Sequence, residues 1–214
     1  MMDATATPYP EIAGYLEERV SEHGAIPPER RFVLDHIARR VEQRRKKAGA
    51  CDATFICTHN SRRSQFAQVW AAVAAATQGV RGVRAHSGGT EVTAFNPRAV
   101  AALQRAGLRA VKTTDGENPI YHVRFSDDAA PLTCFSKIYN HAPNPPVGYI
   151  AVMTCSQADA ECPMVEGAAE RIALPYEDPK VADDTPDETR RYDERCAQIA
   201  RELTYVFAKI GGNQ

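Results

Sequence analysis

A short apolar run, Ala53-Thr54-Phe55-Ile56, leads directly into Cys57-Thr58-His59-Asn60-Ser61-Arg62-Arg63-Ser64, and that segment leads into an alanine-rich stretch from Ser64 to Thr77. The first run reads as a buried strand and the last as a helix, so a polar loop carrying a cysteine and two arginines joins a strand end to a helix start. The order recurs downstream. Val83-Arg84-Ala85-His86-Ser87 reads as a second strand. Asn96-Pro97 opens a helix with Val100, Leu103 and Leu108 on one face and Gly107 near its end. Val147 to Thr154 is a third apolar strand and Arg171 to Pro175 a fourth. A long last helix runs from about Pro186 to Ile210, with Ile199, Leu203, Val206 and Phe207 at helical spacing. Strands alternating with helices imply an α/β chain with a parallel, doubly wound sheet.

Two segments fall outside that alternation. Residues 1–50 read as a helical extension. Pro8 and Pro10 precede a helix from about Glu11 to His23, Gly24 ends it, and Pro27-Pro28 open another carrying Leu34, Ile37 and Val41. Its closing run, Arg44-Arg45-Lys46-Lys47, reads as a solvated helix C-terminus favoured by the macrodipole rather than a partner site. Residues 113–147 read as an inserted hairpin. Tyr121, Val123 and Phe125 alternate with His122 and Arg124, Asp127-Asp128 is a turn, and Leu132 to Tyr139 is a second strand or short helix. The expected organisation is therefore an extension over 1–50 and one α/β domain over 51–214, with an insertion at about 113–147.

Composition removes several classes of function. Lys+Arg is 26 and Asp+Glu is 27, a net charge of -1, which lacks the basic excess of a general DNA or RNA binder but leaves room for a local anion site. The longest uninterrupted apolar run, Val69 to Ala76, is far short of the roughly 20 residues of a membrane span. The first twenty residues include Asp3, Glu11, Glu17, Glu18 and Arg19 with no apolar centre, so no signal peptide is read and the cytoplasm is the expected compartment. Cysteines at 51, 57, 134, 155, 162 and 196 are too sparse for a disulfide scaffold. In a reducing compartment such thiols serve catalysis, redox chemistry or metal binding.

The Cys57–Ser64 loop is chemically coherent as an oxyanion cradle. A loop between strand and helix aims successive backbone N–H groups at one centre, and the helix adds its positive end. A cysteine at its mouth is held as thiolate by the same field. Arg63, six residues on, is placed to fold back over the anion as a two-pronged donor, and Ser64 to hydrogen-bond the sulfur. Thr58, His59, Asn60, Ser61, Arg62, Arg63 and Ser64 are thus the candidate oxyanion-binding residues and Cys57 the candidate nucleophile.

A second cysteine cluster, Thr154-Cys155-Ser156-Gln157-Ala158-Asp159-Ala160-Glu161-Cys162-Pro163, follows the third strand. Ligands in such sheets bind at the carboxyl ends of strands, so Cys155 should share an edge with Cys57. Cys162 lies two turns along if the segment is helical, too far for a disulfide until the helix partly unwinds. The pair suits a relay in which one thiol attacks near the site and the second draws the oxidation outward. Inert core thiols are the other reading. Zinc is disfavoured because neither Cys-x2-Cys spacing nor a nearby His pair is present, and no metal is expected.

These motifs together resemble the low-molecular-weight protein tyrosine phosphatase superfamily, which includes the thioredoxin-coupled arsenate reductases. The cysteine loop is similar to its active-site loop. Ser87-Gly88-Gly89-Thr90-Glu91 is similar to its Ser-Ala-Gly-Thr after strand two. Asn96-Pro97-Arg98-Ala99-Val100 opens its second helix, and Asp178-Pro179 falls where it carries an acidic loop. Cys155 to Pro163, with Ala158, Asp159 and Met164, resembles the Cys-x6-Cys-Pro of the arsenate reductases. The resemblance covers about residues 52–112 and 147–210.

The resemblance implies a three-layer α/β/α fold with a four-stranded parallel sheet in the order 2-1-3-4, to which the N-terminal helices and the inserted hairpin are additions. It implies arsenate reduction: Cys57 attacks arsenate, Arg63 and the loop hold the oxyanion, and Asp178 protonates the leaving hydroxyl. Cys155 then attacks Cys57, Cys162 attacks Cys155, and a thioredoxin-like partner reduces the resulting disulfide, without metal or organic cofactor. The alternative it carries is a phosphatase acting on phosphotyrosine or small phosphomonoesters through a phosphocysteine on Cys57. A noncatalytic anion- or arsenic-binding regulator is a third reading.

Several positions depart from the family pattern. His59 replaces the loop glycine, which strains the backbone if that position needs a positive φ, and it is also placed as a charged lip. Arg62 stands where many relatives carry a second loop cysteine. Gln68 stands where some arsenate reductases place an acid at a potassium site. Tyr176 suits either a phosphotyrosine pocket or core packing. Glu177 and Asp178 are both acids of the late loop, and the family pattern favours Asp178. Cys51 and Cys134 have no assigned role, and Cys196 is expected to face the core.

Overall fold

A computed structural model describes residues 6–161 and 164–212 of the chain. Proline opens each of the first two helices. Helix α1 spans Pro10–Ser21 and α2 spans Pro28–Ala48, each with Pro in its first turn, where the missing N–H costs no intrahelical bond. Gly49, at φ 76°, ends α2 in the left-handed conformation that favours glycine. The basic run behind it is partly neutralised within the helix, since Arg45 and Lys46 both pair with Glu42.

Strand β1 (Cys51–Cys57) follows, then α3 (Arg63–Thr77), β2 (Val83–Gly89) and α4 (Pro97–Arg105). The Asn96 side chain accepts from the Arg98 amide at 2.9 Å and caps α4. Short strands β3 (Arg109–Lys112), β4 (Tyr121–Arg124) and β5 (Leu132–Cys134) come next. The chain then returns through β6 (Tyr149–Met153), α5 (Ser156–Glu161), β7 (Ala168–Ala173) and α6 (Glu188–Gly211).

The main sheet is parallel, with order β2-β1-β6-β7. In terms of its own four strands this is 2-1-3-4 in a three-layer α/β/α arrangement, as the sequence reading expects. Alternation along β1 splits its side chains between two interiors. Ala53 and Phe55 join the larger core with α3 and α6, whereas Ile56 joins Tyr149, Ala151, Met153, Cys155 and Ala158 beneath α5. The N-terminal helices are built into the larger core through Ile12, Leu16, Leu34, Ile37 and Val41. No helix among the described residues is long and apolar enough to cross a membrane.

The insertion holds the expected hairpin, and a strand just before it widens the small sheet. β4 and β5 pair antiparallel, and β3 adds a third strand on the other side of β4. Beyond β5 the chain runs back along β2. The Gly89 amide donates to Lys137 O at 2.8 Å, the Tyr139 amide donates to Gly89 O at 3.0 Å, and Gly89 and Ile138 form a parallel bridge. The insertion thereby covers the C-terminal end of the open β2 edge, where backbone groups would otherwise be unpaired.

Candidate active site

Parallel strands end at the same edge, and this edge collects the candidate residues. Cys57 is the last residue of β1. The Thr154 amide, one residue past β6, donates to Ile56 O at 2.7 Å, so Cys155 emerges beside the cysteine loop. The Tyr176 amide donates to Thr154 O at 3.1 Å, which brings the segment after β7 to the same place and delivers Asp178.

Cys57 is buried, with its Sγ 3.1 Å from Ser64 Oγ. Asn60 Nδ2 donates to Ser64 Oγ at 2.9 Å, so the hydroxyl is oriented between amide and sulfur. Asn60 Oδ1 accepts from the Lys137 amide at 3.0 Å, and Asn60 O accepts from Gln65 Nε2 at 3.0 Å. The positive φ of the loop, 46°, falls on Asn60 and not on His59. Asparagine tolerates that region because its short polar side chain bonds locally, so the strain considered for His59 does not arise. His59 sits at the rim with its Nε2 3.4 Å from Glu91 Oε2. Ser61 Oγ donates to Ala94 O at 2.7 Å. Thr58 is buried, and its Oγ1 lies 3.5 Å from Cys155 Sγ. The first amides of α3 have no intrahelical acceptor and bring the positive helix end to the loop.

The arginines are engaged differently from the sequence expectation. Instead of folding back over the loop, Arg63 donates from Nη1 to Tyr176 O at 3.1 Å and from Nη2 to Asp178 Oδ2 at 2.7 Å. Arg62 grips the same carboxylate, with Nε 2.8 Å from Oδ1 and Nη2 3.2 Å from Oδ2. Burial by itself would raise the Asp178 carboxyl. The charges of Arg63 and Arg62, with the Lys180 amide, outweigh it and hold Asp178 below its ordinary value.

Cys155 is fully buried and accepts from the Ala158 amide at 3.3 Å. Cys162 and Pro163 lie outside the described residues. The remaining described cysteines are withdrawn from chemistry. Burial pushes the Cys51 thiol up to about 11 and those of Cys134 and Cys196 up to about 12. Cys196 faces the core and accepts from Trp70 Nε1 at 3.3 Å. Tyr176 is also core: it is buried, with the Arg30 guanidinium 4.6 Å from its ring centroid, and it does not line the mouth of the loop. Gln68 accepts from Ser87 Oγ at 2.5 Å. Among the described residues no cluster of His, Cys, Asp or Glu is suited to a metal ion.

Sequence reasoning missed the contribution of the insertion. Ser136 Oγ donates to His59 O at 2.9 Å and accepts from the Thr93 amide at 2.9 Å, while the Lys137 amide holds Asn60. Nothing in Phe135-Ser136-Lys137 marks this role, because every contact is made across the fold.

The chain is 27% identical over 157 residues to an arsenate reductase of Bacillus licheniformis, covering 73% of this chain and 94% of that protein. An arsenate reductase of Bacillus subtilis matches to the same extent. The chain is similar to arsenate reductases. No protein-family model matches it. Among solved structures, a low-molecular-weight phosphotyrosine phosphatase of Vibrio cholerae has a TM-score of 0.48 at 13% identity, over 75% of this chain and 95% of the other. A thioredoxin-dependent arsenate reductase of Corynebacterium glutamicum has a TM-score of 0.41 at 18% identity, over 87% and 72%.

Proposed function

We propose that residues 51–214 form the catalytic domain of an arsenate reductase working in a reducing compartment such as the cytoplasm, with residues 1–50 as an extension. The observation that carries this reading is the placement of a second buried thiol, Cys155, against Thr58 of the Cys57 loop. A phosphatase needs one thiol there; a reductase needs two. The likeness to the Bacillus arsenate reductases supports it.

In this reading the Cys57 thiolate attacks arsenate, its charge carried by the loop amides and by Arg63 once Arg63 turns from Asp178. The Cys155 thiolate then attacks Cys57 Sγ. The sulfur–arsenic bond breaks, its electron pair stays on arsenic, and arsenite leaves as a Cys57–Cys155 disulfide forms. Cys162 attacks Cys155 and frees Cys57, and a thioredoxin-like dithiol takes the two oxidising equivalents from the Cys155–Cys162 disulfide. Asp178 is the carboxylate to which both arginines donate.

The test is arsenate-dependent NADPH oxidation with thioredoxin and thioredoxin reductase. Wild type should turn over, and Cys57→Ser, Cys155→Ser and Cys162→Ser should each stop it. Absence of arsenate turnover, with an aryl phosphate hydrolysed equally by wild type, Cys155→Ser and Cys162→Ser but not by Cys57→Ser, would establish the phosphatase alternative. The burial of Tyr176 away from the loop removes the aromatic wall that a phosphotyrosine pocket would draw from that residue.

A further inference from the structure

Two guanidiniums share one carboxylate at this site, and they do so unequally. Arg63 divides its donors between one Asp178 oxygen and Tyr176 O, whereas Arg62 directs its charge at the carboxylate alone, donating from Nη2 to Oδ2 at 3.2 Å with Nε 2.8 Å from Oδ1 as an ion-pair contact. Arg62 is also the less exposed, its side chain 8% accessible against 11% for Arg63 and 23% for Asp178. Arg63 can therefore turn to an oxyanion while Arg62 keeps its hold. Resting on the reductase reading, we propose that Arg62 is a specificity-determining positioning residue. It retains Asp178 as a carboxylate when Arg63 is drawn to the substrate, and so restricts the Cys57 loop to oxyanions that bring their own leaving-group protons.

The chemistry separates the two substrate classes. The Cys57 thiolate and dihydrogen arsenate give a sulfur–arsenic ester dianion and water. One sulfur–arsenic bond forms, one arsenic–oxygen bond breaks with its pair staying on oxygen, and both protons of the anion leave with that oxygen. Arsenic stays pentavalent and charge balances without a proton from the protein. The leaving oxygen of a phosphomonoester carries carbon in place of a proton, so expelling an unactivated phenoxide or alkoxide needs an acid beside it. A carboxylate held by Arg62 does not supply one. The groups facing Asp178 are Arg62 from the loop, Arg63 from the start of α3, the Lys180 amide of its own turn, and Tyr192 from α6, whose hydroxyl donates to Asp183. Removing Arg62 leaves burial to act on Asp178 with one fewer opposing charge, and more of it is protonated in the bound state.

The experiment compares hydrolysis of p-nitrophenyl phosphate, an activated ester, with that of phenyl phosphate, from about pH 5 to 8. Wild type should strongly prefer the activated ester. Arg62→Gln should narrow that preference by about tenfold or more, with the basic limb of its phenyl phosphate profile moved to higher pH. Adding Asp178→Asn should restore the wide preference. An unchanged ratio in Arg62→Gln, or a narrowing that survives Asp178→Asn, overturns the proposal. Arg62→Lys keeps a charge but not the guanidinium's contact with both oxygens; it should narrow the ratio less, and it carries the test if the Gln variant does not fold. If wild type hydrolyses neither ester, new phenyl phosphate turnover in a variant supports the proposal and its absence overturns it. The arsenate assay on wild type decides the reductase reading separately.

Discussion

Replacing Asn60 by alanine tests the loop architecture directly, because three features meet there. The residue is fully buried, its side chain bridges Ser64 and the Lys137 amide, and its φ is 46°. Alanine leaves the Lys137 N–H buried without its acceptor, at about 1–3 kcal/mol, and removes the donation to Ser64, at about 1 kcal/mol. It also places a Cβ in the left-handed region without a compensating local bond, at about 1 kcal/mol. The expected loss is about 3–5 kcal/mol, a fall in Tm of roughly 10 °C for a chain of this size. Urea unfolding followed by Trp70 fluorescence measures it, since the chain has one tryptophan and it is buried on α3. Asn60→Gly loses the same two hydrogen bonds without the backbone penalty and should recover about 1 kcal/mol of the alanine loss. If alanine costs less than about 1 kcal/mol, or glycine is less stable than alanine, the bridge is not what holds the loop.

Gly89→Ala should collapse the anion cradle while sparing the fold. The added Cβ would sit 2.5 Å from Glu91 O, 2.6 Å from Thr58 O and 2.8 Å from Asn60 N, all backbone atoms that cannot swing aside. Phosphate should then no longer protect Cys57 from iodoacetamide, with unfolding still cooperative; intact protection would count against this placement of β2. Lys137 gives a pH dependence. Burial pulls its ammonium down from 10.5 to about 8. The unfolded chain therefore binds more protons than the folded one between those values, and stability rises with pH across that window, by an amount on the order of 3 kcal/mol. Lys137→Met removes the titration, so wild-type stability relative to the variant should climb from about pH 8 to 10.5, and a flat difference would refute the assignment.

The division between what the sequence discloses and what it conceals follows the range of the interactions. β1, the cysteine loop and α3 are readable because an apolar run, a polar break and an alanine-rich stretch are local signals, each enforced by residues within a few positions. The placement of Cys155 on the same edge as Cys57 is readable one step further, since parallel strands must end at a common edge. The strand that precedes the insertion is not: β3 is four residues long, and only Ala110 of it is buried, so it carries almost no periodicity. The position of the positive φ is also hidden. A family glycine points to His59, yet the residue whose side chain can complete the left-handed turn is its neighbour Asn60. What makes Asn60 suited to the turn, the amide of Lys137, lies 77 residues away. The same holds for the arginines. Spacing alone aims Arg63 at an anion, but its partner is a carboxylate 115 residues on, and Arg62, also a candidate for the anion, donates to that same carboxylate. Local pattern identifies the candidate groups; the long-range contacts decide which of them are paired, buried or turned toward the loop.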